Sequence, residues 1–167
     1  GVASSRGDAR RSIEGGGIYV YDRGPTVNVR YNRIHNNSAG AMRLRGQSGG
    51  QDTIEYNIVT SGSSEAPMIS QVSGDPMAGV IRHNNFIHTS RMPTPSSGTP
   101  AAEPYMVFAS RAADGSFDLG NNWWGTTDTA TIDTLIYDWN EDPAKGLVDY
   151  TPILNAPDTT APPSLPI

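Results

Sequence analysis

Residues 27–34, Val27-Asn28-Val29-Arg30-Tyr31-Asn32-Arg33-Ile34, hold the pattern from which the rest of the chain is read. Apolar residues lead to an Asn, and another apolar residue follows two positions later. The pattern returns as Thr53-Ile54-Glu55-Tyr56-Asn57-Ile58-Val59 and as Val80-Ile81-Arg82-His83-Asn84-Asn85-Phe86-Ile87. A last version is Phe117-Asp118-Leu119-Gly120-Asn121-Asn122-Trp123-Trp124. Counted through Asn32, Asn57, Asn85 and Asn122 the spacings are 25, 28 and 37. The third and fourth copies each hold two adjacent Asn, so their register is open by one residue.

Between the copies lie further short strand candidates: Gly17–Tyr21, Ala41–Arg45, Pro67–Ser70 and Tyr105–Phe108. Most alternate with period two, as half-buried strands do, and Gly, Ser and Pro separate them. Self-similarity at about 25 residues is the mark of a stacked repeat. The expected fold is all-β: a right-handed parallel β-helix of about 4–5 coils with a short C-terminal capping helix. Asn suits the bend of such a coil because it tolerates the left-handed backbone region. Its amide can also bond to the Asn of the coils above and below, making a structural ladder of Asn32, Asn57, Asn85 and Asn122. An antiparallel sandwich with chance Asn repeats is the competing topology.

Composition agrees. Charged residues make up only 17% of the 167, while Gly (18) and Pro (13) are plentiful, which suits many turns and argues against a helical bundle. The net charge of −5 speaks against a sequence-independent nucleic-acid binder. The absence of Cys excludes disulfides, thiolate metal sites and Cys nucleophiles. No apolar run approaches the roughly 18 residues of a membrane span, so no membrane insertion is expected. Nor does a signal peptide open the chain, which reads as a mature product or a piece of something larger.

Asn121-Asn122-Trp123-Trp124-Gly125-Thr126-Thr127, an amphipathic stretch, and then Gly146-Leu147-Val148-Asp149-Tyr150-Thr151-Pro152-Ile153-Leu154 form a more specific motif. It resembles the closing element of secreted β-helix proteins, and the Asn repeats resemble those of the pectate-lyase-like superfamily. The resemblance covers about residues 15–155 and implies architecture more than activity, because that superfamily includes lyases, hydrolases, epimerases and adhesins. The expected division is an N-terminal flank or incomplete coil at 1–14, coils at 15–125, a cap at 126–155 and a Pro/Thr-rich linker at 156–167. A further domain is expected beyond the linker. Asp128 is the expected N-cap, and Ile132, Leu135, Ile136 and Trp139 fall on one helical face about ten residues long. Pro143 and Gly146 would end that helix.

Candidate chemistry is sparse. Lyases of this superfamily abstract a proton with Arg, Lys, His or Tyr and neutralise a uronate carboxylate, which makes Arg30, Arg82, His35 and His88 the candidate catalytic residues. Arg30, Glu55 and Arg82 should share one outward row, either a groove floor or an alternating salt-bridge row. In the register of Asn85, His35 and His88 stack two coils apart. Glu55, Trp123 and Trp124 are the carbohydrate-binding candidates, with one Trp expected in the core and the other under the cap helix. Asp138, Asn140, Asp142 and Asp149 partly copy a calcium loop, although Pro143 replaces the turn Gly, so calcium is the one cofactor this pattern admits. Arg6-Gly7-Asp8 is a chance tripeptide, and Asn36-Asn37-Ser38 a glycosylation sequon.

The expected function is an extracellular module, secreted or at the cell surface, with a structural or carbohydrate-binding role. A polysaccharide or cell-surface glycan would be its partner. One alternative is a fragment of a polysaccharide lyase or glycoside hydrolase acting on acidic polysaccharide. Another is a self-assembling surface or filament subunit, a homo-oligomer stacked through exposed strand edges.

Overall fold

The structure, a computed structural model, describes residues 17–21, 27–35, 37, 40–45, 52–60, 69–71, 79–88, 105–109 and 117–163. The N-terminal flank, the tripeptide at 6–8, the sequon's Asn36 and Ser38, and residues 91–103 lie outside them.

The described residues are mostly β, in stacked parallel sheets with a parallel β-solenoid-like arrangement and one short helix near the C-terminus. The first pass contains β1 (Ile18–Tyr21), β2 (Asn28–Arg30) and β3 (Arg33–Ile34). The second contains β4 (Met42–Arg45), β5 (Thr53–Glu55) and β6 (Ile58–Thr60), and the third β7 (Ile69–Gln71), β8 (Val80–Arg82) and β9 (Asn85–Ile87). The last two passes hold β10 (Val107–Phe108), β11 (Phe117–Asp118), α1 (Thr129–Asp133), β12 (Ile136–Tyr137) and β13 (Val148–Asp149). One sheet runs β1-β4-β7-β10-β12, and the others are β2-β5-β8, β3-β6-β9 and β11-β13. Every strand pair among the described residues is parallel, which excludes the antiparallel sandwich.

Like residues stack on like. Ile18, Met42, Ile69, Val107 and Ile136 share one row, Val29, Ile54 and Ile81 a second, and Ile34, Val59 and Phe86 a third. With the partial exception of Ile18 these side chains are buried in a single core cluster. Each contributes about 1.5–3 kcal/mol of burial. Alternation puts the next residue of each strand outside: β2 and β8 read exposed, buried, exposed. The backbones approach closely where the rows begin. A Cβ on Gly79 would lie 2.4 Å from the Asp52 carbonyl oxygen, to which Val80 N–H also donates at 2.7 Å. Gly79→Ala is therefore expected to push the second and third passes apart and cost about 1–3 kcal/mol, read from urea denaturation.

The bends carry a correction. Among the described residues, the non-glycine residues in the left-handed region are Tyr31, Tyr56, His83 and Asn121 (φ 58°, 55°, 58° and 57°), each one position before the ladder Asn. A left-handed non-Gly residue costs about 1–2 kcal/mol, and the following Asn offsets it by tying the bend together. Its Nδ2 donates to the carbonyl two residues back: Asn32 to Arg30, Asn57 to Glu55, Asn84 to Arg82 and Asn122 to Gly120. The ladder itself runs Asn32–Asn57–Asn84–Asn122, with spacings of 25, 27 and 38. Asn84 therefore holds the third place and Asn85 does not.

The cap also departs from expectation. Asp128 does cap α1, accepting from Ala130 N–H at 3.2 Å, but the helix spans only five residues. Leu135 and Ile136 are drawn into the sheet instead. The Leu135 carbonyl accepts from Met106 N–H at 2.7 Å, and Ile136 pairs with Val107. The edge of β10 needs a partner strand, and satisfying its backbone outweighs extending the helix. Ile132, Leu135 and Ile136 are buried as the apolar face requires, whereas Trp139 is 53% exposed. Residues 148–154 then line the outside of the fourth pass, with bonds from Leu119 N–H to Asp149 O, Asn121 N–H to Pro152 O and Leu154 N–H to Asn122 O. No helix among the described residues is long and apolar enough to cross a membrane.

Candidate functional site

The outer face of β2-β5-β8 and the bends beside it gather most of the polar candidates. Arg30, Glu55 and Arg82 are direct neighbours in register. Arg30 Nη2 lies 3.2 Å from Glu55 Oε2, and Arg82 Nε donates to Glu55 Oε1 at 2.8 Å. The Glu55 side chain is 7% exposed, while the arginines are 45% and 52% exposed. One buried carboxylate is thus sandwiched between two half-exposed guanidiniums, which leaves the row net positive. Each pair contributes about 0.2–1 kcal/mol at that exposure.

Beside this row, Tyr31, Tyr56 and His83 stack ring on ring, with centroids 5.5 and 5.4 Å apart. Tyr56 is covered on both faces, whereas Tyr31 ends the stack and is 57% exposed. Inside the bends the Oδ1 of Asn57, Asn84 and Asn122 each accepts from the preceding pass's Asn, through both its backbone N–H and its Nδ2, at 2.9–3.0 Å. Asn57, Asn84 and Asn122 have no exposed surface at all.

The two histidines expected to stack do not. Ile34, Val59 and Phe86 share a row and Thr60 pairs with Ile87, so His35 aligns with Ile87 and His88 lies one position further on. The cause is the ladder's use of Asn84, which moves the third copy by one residue. His35 is exposed, and His88 is half-buried with its pKa lowered by that burial. Of the two candidate tryptophans, Trp124 is 1% exposed and packs edge-on against Phe86 at 5.0 Å and Tyr150 at 6.1 Å. It is core and cannot meet a sugar. Trp123 is half-buried and bridged to Asn85 in the outer row.

The calcium-loop residues serve the backbone. Asp138 is buried, and its two oxygens accept from Asn140 N–H at 2.9 Å and Val148 N–H at 2.8 Å. Asp142 accepts from Ala144 N–H and Asp149 from Thr151 N–H, while Asn140 is exposed. Among the described residues no group of three acids or histidines is placed to hold a metal ion. A donor set so engaged does not fit calcium.

One cluster was not anticipated. The segment read as a linker folds back along the outer row. Asp158 Oδ2 sits 2.9 Å from His83 Nδ1, and the Asn85 side chain bonds both backbone groups of Asp158. Burial pushes the Asp158 carboxyl up, but hydrogen bonds from Thr160 and His83 prevail and hold it below the ordinary 3.8. Its partners lie 73 and 75 residues away, so no local pattern could announce them.

Neither a protein-family model, nor a curated protein, nor a solved structure matches the chain.

Proposed function

We propose that the chain belongs to a right-handed parallel β-helix of the pectate-lyase-like kind, closed by the cap at 126–155. On this reading it is a non-catalytic module of a secreted or cell-surface protein, holding a glycan against its outer face. The observation that carries the reading is the closed Arg30–Glu55–Arg82 row. A lyase arginine has to offer its fork to a uronate carboxylate, and here Glu55 already occupies part of both forks. The donors left over face solvent beside the open ring of Tyr31, an arrangement suited to hydroxyl and carboxylate contacts with a sugar ring stacked on the tyrosine.

The test is affinity electrophoresis of the purified chain through neutral and acidic polysaccharides, paired with an ultraviolet assay for unsaturated product. Retardation by at least one acidic glycan is expected, reduced about tenfold or more by Tyr31→Ala combined with Arg82→Ala, a loss on the order of 1.4 kcal/mol. No unsaturated product is expected. Product formation by the unmodified chain would overturn the non-catalytic reading, and absence of retardation would overturn glycan binding.

A further inference from the structure

The outer row beside the ladder is Arg33, Ile58, Asn85 and Trp123. Ile58 points away from the core, because its neighbour Val59 points into it, yet Ile58 is only 6% exposed and stands outside the core cluster. Ala161 shares both properties. The chain from 155 to 163 explains the coincidence. Asp158 is held at Asn85, one rung beyond Ile58, and the Pro163 carbonyl accepts from Arg33 Nε at 2.7 Å, one rung before it. Ala161 lies between those two anchors in sequence, as Ile58 lies between them in the row.

The contacts are of the kind that read a peptide backbone. The Asn85 amide accepts from Asp158 N–H at 2.7 Å and donates to Asp158 O at 3.0 Å, doing for one residue what a neighbouring strand would do. His83 adds a preference for a carboxylate at that position. Thr160 N–H bonds the other Asp158 oxygen at 2.8 Å and so holds the segment in a turn at Thr159–Thr160. Pro157, Pro162 and Pro163 restrict the backbone on either side, which lowers the entropy lost on docking.

We propose that this row, Arg33–Ile58–Asn85 with His83, is a binding groove for a peptide that turns just after a carboxylate and carries, three residues on from it, a small apolar residue before proline. Residues 155–163 fill it in cis. The inference is independent of the glycan reading, which concerns the neighbouring face.

The test uses the full chain with Asp158→Ala and Ala161→Glu, so that its own segment cannot seat, and a synthetic peptide of residues 155–163 with the native sequence. Calorimetric titration is expected to give saturable one-to-one binding to this variant. Binding to the unmodified chain should be at least tenfold weaker, because a tethered segment competes at an effective concentration of about millimolar. Adding Asn85→Ala to the variant should abolish binding. Equal binding to both chains, no binding to the folded variant, or binding that survives Asn85→Ala would each overturn the proposal. Should the variant fail to fold, hydrogen exchange on the unmodified chain decides: the Asp158 amide is expected to be protected, and free exchange there refutes the docked segment.

Discussion

Asn84→Ala is expected to destabilise the protein by about 3–5 kcal/mol, among the largest losses available from a single polar side chain. The Asn84 Oδ1 accepts from Asn57 N–H at 3.0 Å and Asn57 Nδ2 at 2.9 Å, and its Nδ2 donates to Ile54 O at 2.9 Å. Alanine removes all of these in a place with no exposed surface. The Asn57 N–H is then left buried and unpaired, at about 1–3 kcal/mol, and the other bonds are lost with it. Because each pass is held mainly by its neighbours, the damage falls on the seam between the second and third passes. Asn32→Ala is the control. Asn32 is exposed, water can replace its bond to Arg30 O, and the cost should stay below about 1 kcal/mol. Urea denaturation of the two variants side by side measures the contrast, and equal losses would mean that the ladder carries little.

Trp124→Ala should match that loss by a different route. The indole fills the space between Phe86 and Tyr150, and deleting it leaves a cavity costing about 3–5 kcal/mol. Trp124 Nε1 is buried without a hydrogen-bond partner among the described residues, a burden of about 1–3 kcal/mol that the native core carries. Trp124→Phe removes that burden along with some volume, so it should cost much less than alanine, under about 1.5 kcal/mol. A phenylalanine variant as unstable as the alanine one would show that the indole N–H contributes rather than costs.

Much of this fold is legible in residues 27–87, for a physical reason. Stacking like on like repeats the same demands at each pass, so Val29, Ile54 and Ile81, or Arg30, Glu55 and Arg82, recur at nearly fixed spacing. The register of the third pass is not legible, since Asn84 and Asn85 offer the same side chain. The position before the ladder residue decides between them. It takes the left-handed conformation, and two of its occupants, Tyr31 and Tyr56, have no intrinsic preference for it. What recommends them is the ring stack across passes, which only the assembled structure supplies. Ile132, Leu135 and Ile136 satisfy a helical face and a turn leading to a strand equally well, and the unpaired edge of β10 chooses the second. The docked tail is the least legible part. A Pro/Thr-rich composition describes a chain that makes no core of its own, and it is silent about a groove built by residues more than 70 positions away.

Successive passes stack in parallel with Asn28, Thr53 and Val80 in one outer row. The chain contains no Cys, so paired cysteines report on that row without interference. Adjacent parallel strands lie about 4.8 Å apart, inside the Cα range of roughly 4.4–6.8 Å that a disulfide spans. Thr53→Cys with Val80→Cys is expected to form an intramolecular disulfide on mild oxidation, while Asn28→Cys with Val80→Cys, two passes apart, stays reduced. A disulfide in the second pair, or none in the first while the protein remains folded, would contradict the stacking.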